Sequence, residues 1–270
     1  MRVAGLLCAL FSLIGCAVPV AINDDYAARQ GWPRCLVKGK DFTHVVYTAA
    51  AGEGAVWHVY IEGDGEPWQS RTSVARDPTQ ARPLMLRLMR QDAAPRLYLG
   101  RPCYLGMAPE PVCRPWVWTH GRYSEPVVSS MQRALERLIE QHAIGELALF
   151  GHSGGATLAM LLAERIPQVG MVVTLAGNLD TAAWTRKHGY SALTGSLNPA
   201  ERPELPDRIR QFHFRGSEDR NLPNAQLPGD SSVSRHIRLE GVGHTTGWEP
   251  LYCHILTLTG GVCKPVSALP

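Results

Sequence analysis

Apolar and polar positions along this chain follow two periods that take turns. Short runs rich in Val, Ile, Leu, Phe and Tyr predict strands over residues 43–48, 56–61, 96–99, 146–150, 171–175, 211–214 and 235–239. The later runs are apolar on both sides, as in strands covered on two faces. Between them the spacing turns helical. Leu84, Leu88 and Met89 share one side of a helix predicted over 83–91, and Val127, Val128, Met131, Leu135, Leu138 and Ile139 recur behind Glu125-Pro126. Further helices are predicted over 156–165, ending before Pro167, and over 248–258. Strands separated by helices call for crossover connections, so the reading is one α/β domain with a mostly parallel sheet. Residues 16–42 carry no such rhythm and read as a tether and irregular lead-in, which leaves 43–270 as the domain.

Composition narrows this little. The chain has 270 residues, enough for a substantial core, and 45% hydrophobic against 19% charged residues excludes a disordered chain. A net charge of +3 gives no electrostatic case for nucleic acid as a partner. The N-terminus says more. Arg2 precedes an uncharged apolar run over 3–14, shorter than the roughly 20 residues a spanning helix needs, which is the pattern of a secretory signal. The run ends Leu13-Ile14-Gly15-Cys16, which resembles the bacterial lipobox. That resemblance implies a signal peptide over 1–15, cleavage before Cys16, and lipid on Cys16 holding the protein in the cell envelope at a membrane surface. An ordinary secretory signal cut after Ala17 is the alternative, and either reading exports the chain.

Outside the cytosol disulfides persist. The chain has seven cysteines, and Cys8 would leave with the signal. Cys103 and Cys113 bracket a Pro-rich loop, and Cys253 and Cys263 bracket the end of the last helix and the tail. Each pair is expected to bridge a short loop, with Cys35 left over. No Cys-x-x-Cys pair suggests zinc, and neither a metal nor a cofactor is expected.

The chemistry centres on Gly151-His152-Ser153-Gly154-Gly155, a G-x-S-x-G run with a strand before it and a helix after it. A serine on a sharp strand-to-helix turn projects its hydroxyl above the sheet edge, and the helix N-terminus favours negative charge beside it. Such a serine needs a base and an orienting acid. Among downstream histidines, His236 falls within a strand and His254 within a helix. His244 sits in the Gly-rich stretch Glu240-Gly241-Val242-Gly243-His244, where an imidazole has room to move. Asp219, in Arg215-Gly216-Ser217-Glu218-Asp219, leads for the acid, with Glu218 and Asp180 as competitors. Gly63-Asp64-Gly65 follows the 56–61 strand. There the N–H of Asp64, or alternatively of Gly65, could join the N–H of Gly154 as an oxyanion hole.

Together, Gly63–Gly65, Ser153, Asp219 and His244 resemble an α/β-hydrolase over roughly residues 43–260, and within that group small exported bacterial members. The resemblance implies an eight-stranded, mostly parallel sheet with helices on both faces. It also implies a serine, acid, histidine order and a small acyl substrate, with Glu62 standing where many members carry a histidine. The stretch between Asp180 and Arg210 is too short for a large cap domain. Trp68, Trp116, Trp118, Trp184 and Trp248 fall on loops where they could line an apolar pocket. The expected activity is cleavage of a carboxylic ester or related acyl bond. An exported serine peptidase and a non-catalytic envelope lipoprotein that binds through a hydrolase fold are the alternatives.

Overall fold

A computed structural model describes residues 19–52, 54–223 and 230–264. The expected signal peptide over 1–15 and the expected lipid site at Cys16 lie outside the described residues. Eight strands form one open sheet: β1 (Arg34–Lys38), β2 (Thr43–Ala49), β3 (Val56–Ile61), β4 (Arg96–Leu99), β5 (Glu146–His152), β6 (Val169–Leu175), β7 (Arg210–Gly216) and β8 (Ser234–Leu239). Their order is β1-β2-β4-β3-β5-β6-β7-β8. The pairs β1/β2 and β2/β4 are antiparallel, and every later pair is parallel. All seven strands expected from the apolar runs are present. The eighth, β1, and helix α1 (Pro19–Arg29) lie in the stretch read as an irregular lead-in, so the domain starts earlier than expected. The physical reason is their surface: β1 is an edge strand exposed at nearly every position, and α1 buries only Asn23 and Ala27. Neither carries an apolar period.

The helices are α2 (Leu84–Met89), the four-residue α3 (Pro115–Trp118), α4 (Glu125–His142), α5 (Gly154–Ala163), α6 (Thr181–His188) and α7 (Trp248–Thr259). Neighbouring residues of β5 assign the layers. Phe150 stacks on Tyr60 and meets Tyr252 of α7. Gly151 points the other way and lies so close to α5 that an added Cβ would sit 2.4 Å from the Gly155 oxygen. Since successive strand residues face opposite sides, α7 and α5 cover opposite faces. Helix α2 packs with α7, and α4 with α5. The predicted stripe of α4 is its buried side: Val127, Val128, Met131, Leu135, Leu138 and Ile139 are all in the core. Between β6 and β7 lie only α6 and a 3₁₀ turn at Pro199–Glu201, so no large cap covers the sheet edge. Disulfides join Cys103 to Cys113 and Cys253 to Cys263, and Cys35 is unpaired on the exposed β1, all as expected.

Candidate active site

Strand β5 leads straight into Ser153, which has φ 51° and ψ −117°, and α5 opens at the next residue. A positive φ is costly for a side chain with a Cβ, so the surroundings must hold the turn. They do so from both ends: Ser153 N–H donates to the Leu175 carbonyl at 3.0 Å, and its own carbonyl accepts from Asn178 N–H at 3.2 Å. Close packing explains the glycine after the turn, because a Cβ on Gly155 would lie 2.3 Å from the Ile61 oxygen. The Gly154 N–H stands at the first position of α5 and has no acceptor within its own helix.

Facing the serine hydroxyl is His244. Its Nε2 lies 3.0 Å from Ser153 Oγ, and its Nδ1 lies 2.9 Å from Asp219 Oδ2. The Asp219 carboxylate is fully covered, and its other oxygen accepts the N–H groups of Asn221 (2.8 Å) and Leu222 (3.2 Å). Burial works to raise the Asp219 pKa. The hydrogen bond and charge of His244, helped by those two N–H donors, outweigh it and hold the carboxyl below its ordinary value. With Asp219 ionised, Nδ1 carries the proton and the Nε2 lone pair is turned toward Ser153. A second donor faces that lone pair, the Asn221 side-chain amide, at 3.0 Å.

The other wall is the loop after β3. Asp64 packs over the N-terminus of α5, so that a Cβ on Gly154 would sit 2.1 Å from Asp64 Oδ1. Arg101 Nη1 donates to Asp64 Oδ1 at 2.6 Å and Arg122 Nη1 to Oδ2 at 3.0 Å, while the Tyr123 hydroxyl reaches both oxygens (2.8 and 2.6 Å). The two guanidinium groups and Tyr123 overcome the effect of burial and keep Asp64 ionised, far below the usual carboxylate range. Glu62, just before this loop, is also buried, and burial pushes its pKa up to about 7 although it accepts the Met85 N–H at 3.0 Å.

No family model matches the chain, and no curated protein sequence matches it. Solved structures do. An esterase of Pyrococcus furiosus superposes with a TM-score of 0.57 at 9% identity, covering 85% of this chain and 88% of that one. A lidless α/β serine hydrolase from Xanthomonas campestris gives 0.51 at 10% identity, covering 84% and 94%. A membrane phospholipase A described as a bacterial virulence factor gives 0.55 at 14% identity, covering 90% of each chain. The chain has the α/β-hydrolase fold.

Within that fold the competing candidates lie away from the Ser153 hydroxyl's bonded partners. Glu218 is exposed, and Asp180 caps α6 by accepting the Ala183 N–H at 3.0 Å. His236 stacks on His213 in the sheet, and His254 is exposed on α7. Of the five tryptophans on these loops, Trp248 and Trp118 are buried in the core, and Trp184 packs against His188 and Tyr190. Trp68 and Trp116 are partly exposed, and none of the five lines either cavity found beside the site. The larger cavity, about 390 Å³, lies under the Asp219 loop between α5, α6 and the β6–β8 face, and its wall includes Asn178 and Leu222.

Several site residues escaped the sequence reading. His152, beside Ser153, donates from Nε2 to the His244 carbonyl at 2.8 Å, and Trp248 Nε1 donates to the same oxygen at 3.1 Å. Burial and the neighbouring His244 push the His152 pKa down to about 4, so it is a neutral donor at pH 7. Nothing in the sequence pattern marks Arg101, Arg122 or Tyr123. Only the G-x-S-x-G position of His152 was visible beforehand.

Proposed function

We propose that the protein is an exported serine hydrolase that cleaves a carboxylic ester or related acyl bond through an acyl-enzyme on Ser153. The observation that carries this reading is the continuous chain Ser153 Oγ–His244–Asp219, with links of 3.0 and 2.9 Å, mounted on a strained turn at a helix N-terminus. His244 Nε2 would take the Ser153 proton as Oγ attacks the carbonyl carbon. The tetrahedral oxyanion would face the N–H groups of Gly154 and Asp64, with Gly65 as the alternate donor on the loop. His244 would then protonate the leaving group, and water, activated by the same imidazole, would release the acid. Asp219 holds the imidazole tautomer throughout. The names of the structural neighbours, an esterase and a phospholipase among them, favour an ester over an amide substrate.

Export and lipid attachment at Cys16 are part of the same proposal, supported by the lipobox-like run and by two disulfides of a kind that persists outside the cytosol. Conversion of Cys16 to serine should abolish a lipid mass gain and membrane partitioning. For the chemistry, wild-type protein should be labelled by a fluorophosphonate probe and hydrolyse an activated ester, and Ser153→Ala should lose both. A folded wild type that does neither would favour a non-catalytic binding protein, whereas peptide amides cleaved far faster than esters would favour a peptidase.

A further inference from the structure

The Asp64 cluster is more elaborate than an oxyanion loop requires for its backbone alone. Gly63 and Gly65 flank Asp64, Gly65 with φ 63°, and glycines leave a loop conformationally loose. Yet all three oxygens of Asp64 are held. Its carboxylate takes Arg101, Arg122 and Tyr123, and its carbonyl accepts the Tyr104 hydroxyl at 2.8 Å. The holders are themselves braced. Arg101 Nη2 donates to the Arg122 carbonyl at 3.2 Å, Arg122 Nε donates to the Thr119 carbonyl at 2.6 Å, and the Arg101 guanidinium lies over the Tyr104 and Tyr123 rings. Arg101 is 3% exposed, Arg122 5% and Tyr123 0%, so these groups meet little solvent.

We propose that Asp64, Arg101, Arg122 and Tyr123 form a clamp that positions the loop N–H for the oxyanion of the acyl-transfer step. This rests on the serine hydrolase reading of Ser153. The four are positioning residues: they act on the reaction through a backbone donor that must be held to within about half an ångström. The charge count makes the idea testable. Two guanidiniums against one carboxylate leave the cluster with a net +1 beside the developing oxyanion. Asp64→Asn would raise that to +2, which by field strength alone would favour the anion and speed the reaction. A clamp predicts the opposite sign, because the amide cannot receive both guanidiniums and the tyrosine as the carboxylate does.

The experiment is steady-state hydrolysis of an activated ester by Asp64→Asn, Arg101→Lys and Tyr123→Phe, with circular dichroism and Tm for each. Asp64→Asn should lower kcat about 10- to 100-fold, a fraction of the loss from deleting an oxyanion donor outright, with KM changed less than threefold. Arg101→Lys, which keeps the charge but loses the planar fork, and Tyr123→Phe should each lower kcat about 3- to 10-fold with the same KM signature. A folded Asp64→Asn with kcat equal to or above wild type overturns the clamp. Should Asp64→Asn fail to fold, a kcat within twofold of wild type in both other variants overturns it. A wild type that neither turns over nor reacts with the fluorophosphonate sinks the hydrolase reading and the clamp together, whereas an active wild type with an unaffected Asp64→Asn sinks the clamp alone.

Discussion

Ser153 is flanked by two walls built on different principles. On the Asp64 side the groups are buried and densely bonded, and the donors to the carboxylate come from two separate segments, the loop after β4 and the turn before α4. On the His244 side the imidazole is partly exposed, its side chain touches Ser153, Asp219 and Asn221, and its backbone carbonyl is fixed by two further donors. The difference matches two tasks. An oxyanion needs donors that are already in place when charge develops, so motion there is a loss. An imidazole that takes a proton from one oxygen and gives it to another needs a fixed pivot and a side chain that can shift by a few tenths of an ångström.

If this contrast is right, damage to the two walls should look different in kinetics. The largest effect after loss of Ser153 belongs to Asp219→Asn, which leaves the shape but removes the carboxylate that fixes the tautomer. It should lower kcat about 10⁴-fold with little change in Tm. Asp180→Asn is the control, since its carboxylate caps α6, and a comparable loss there would move the acid. Next comes the pivot. His152→Ala removes one of the two donors to the His244 carbonyl and should lower kcat about tenfold, the scale of a weakened base contribution. An unchanged kcat would show that Trp248 alone suffices.

A third test uses the two disulfides, both of which close loops of the same sequence separation, 10 residues. Cys103–Cys113 lies in the segment that carries Arg101 and Tyr104, whereas Cys253–Cys263 ties α7 to the tail. Paired replacement by serine should lower Tm in both cases, the chain-entropy argument giving each about 2–3 kcal/mol. Only the 103/113 pair should also lower kcat, by severalfold. Equal kinetic effects would erase the distinction between a bridge that supports the site and one that supports the fold.

The last effect is one of stability alone and leaves kcat aside. Glu62 has a folded pKa of about 7 against an ordinary value near 4.5, so the folded protein keeps a proton that the unfolded chain releases. Between pH 4.5 and 7 the wild type should therefore lose stability relative to Glu62→Gln, and the difference should level off above pH 7 at about 3 kcal/mol. The buried histidines His44, His152 and His213, held neutral down to about pH 4, act in the other sense below pH 6.5, but they are common to both proteins and cancel in the comparison. Parallel stability curves for the two proteins would remove Glu62 from the account.

How far the sequence carried depended on periodicity. Strands such as β5 and β6, buried on both faces, announce themselves as apolar runs, and Ser153, Asp219 and His244 follow from a short motif and the order of the loops after it. What stayed hidden is held together by contacts with no period. Asp64 was legible as a backbone donor, but its side-chain partners at 101, 122 and 123 come from segments with no shared spacing. Asp180 looked like a possible acid because a helix cap and a catalytic carboxylate use the same residue type. Edge strand β1 and the polar α1 were invisible because burial on their surfaces is too slight to mark a period.

That first helix bears on where the protein could work. A chain from residue 16 to residue 42 with no structure could stretch for tens of ångströms, but α1 begins at Pro19. Three residues reach at most about 11 Å whatever path they take. Helix α1 is in turn bound to the body of the domain through Asn23, which donates to the Gln80 carbonyl at 2.9 Å, and through Asp24, which accepts from the Tyr47 hydroxyl at 2.5 Å. With lipid on Cys16, the domain would be moored rather than leashed. The body of the domain would then ride close against the surface that holds the lipid, travelling with its anchor instead of swinging away from it.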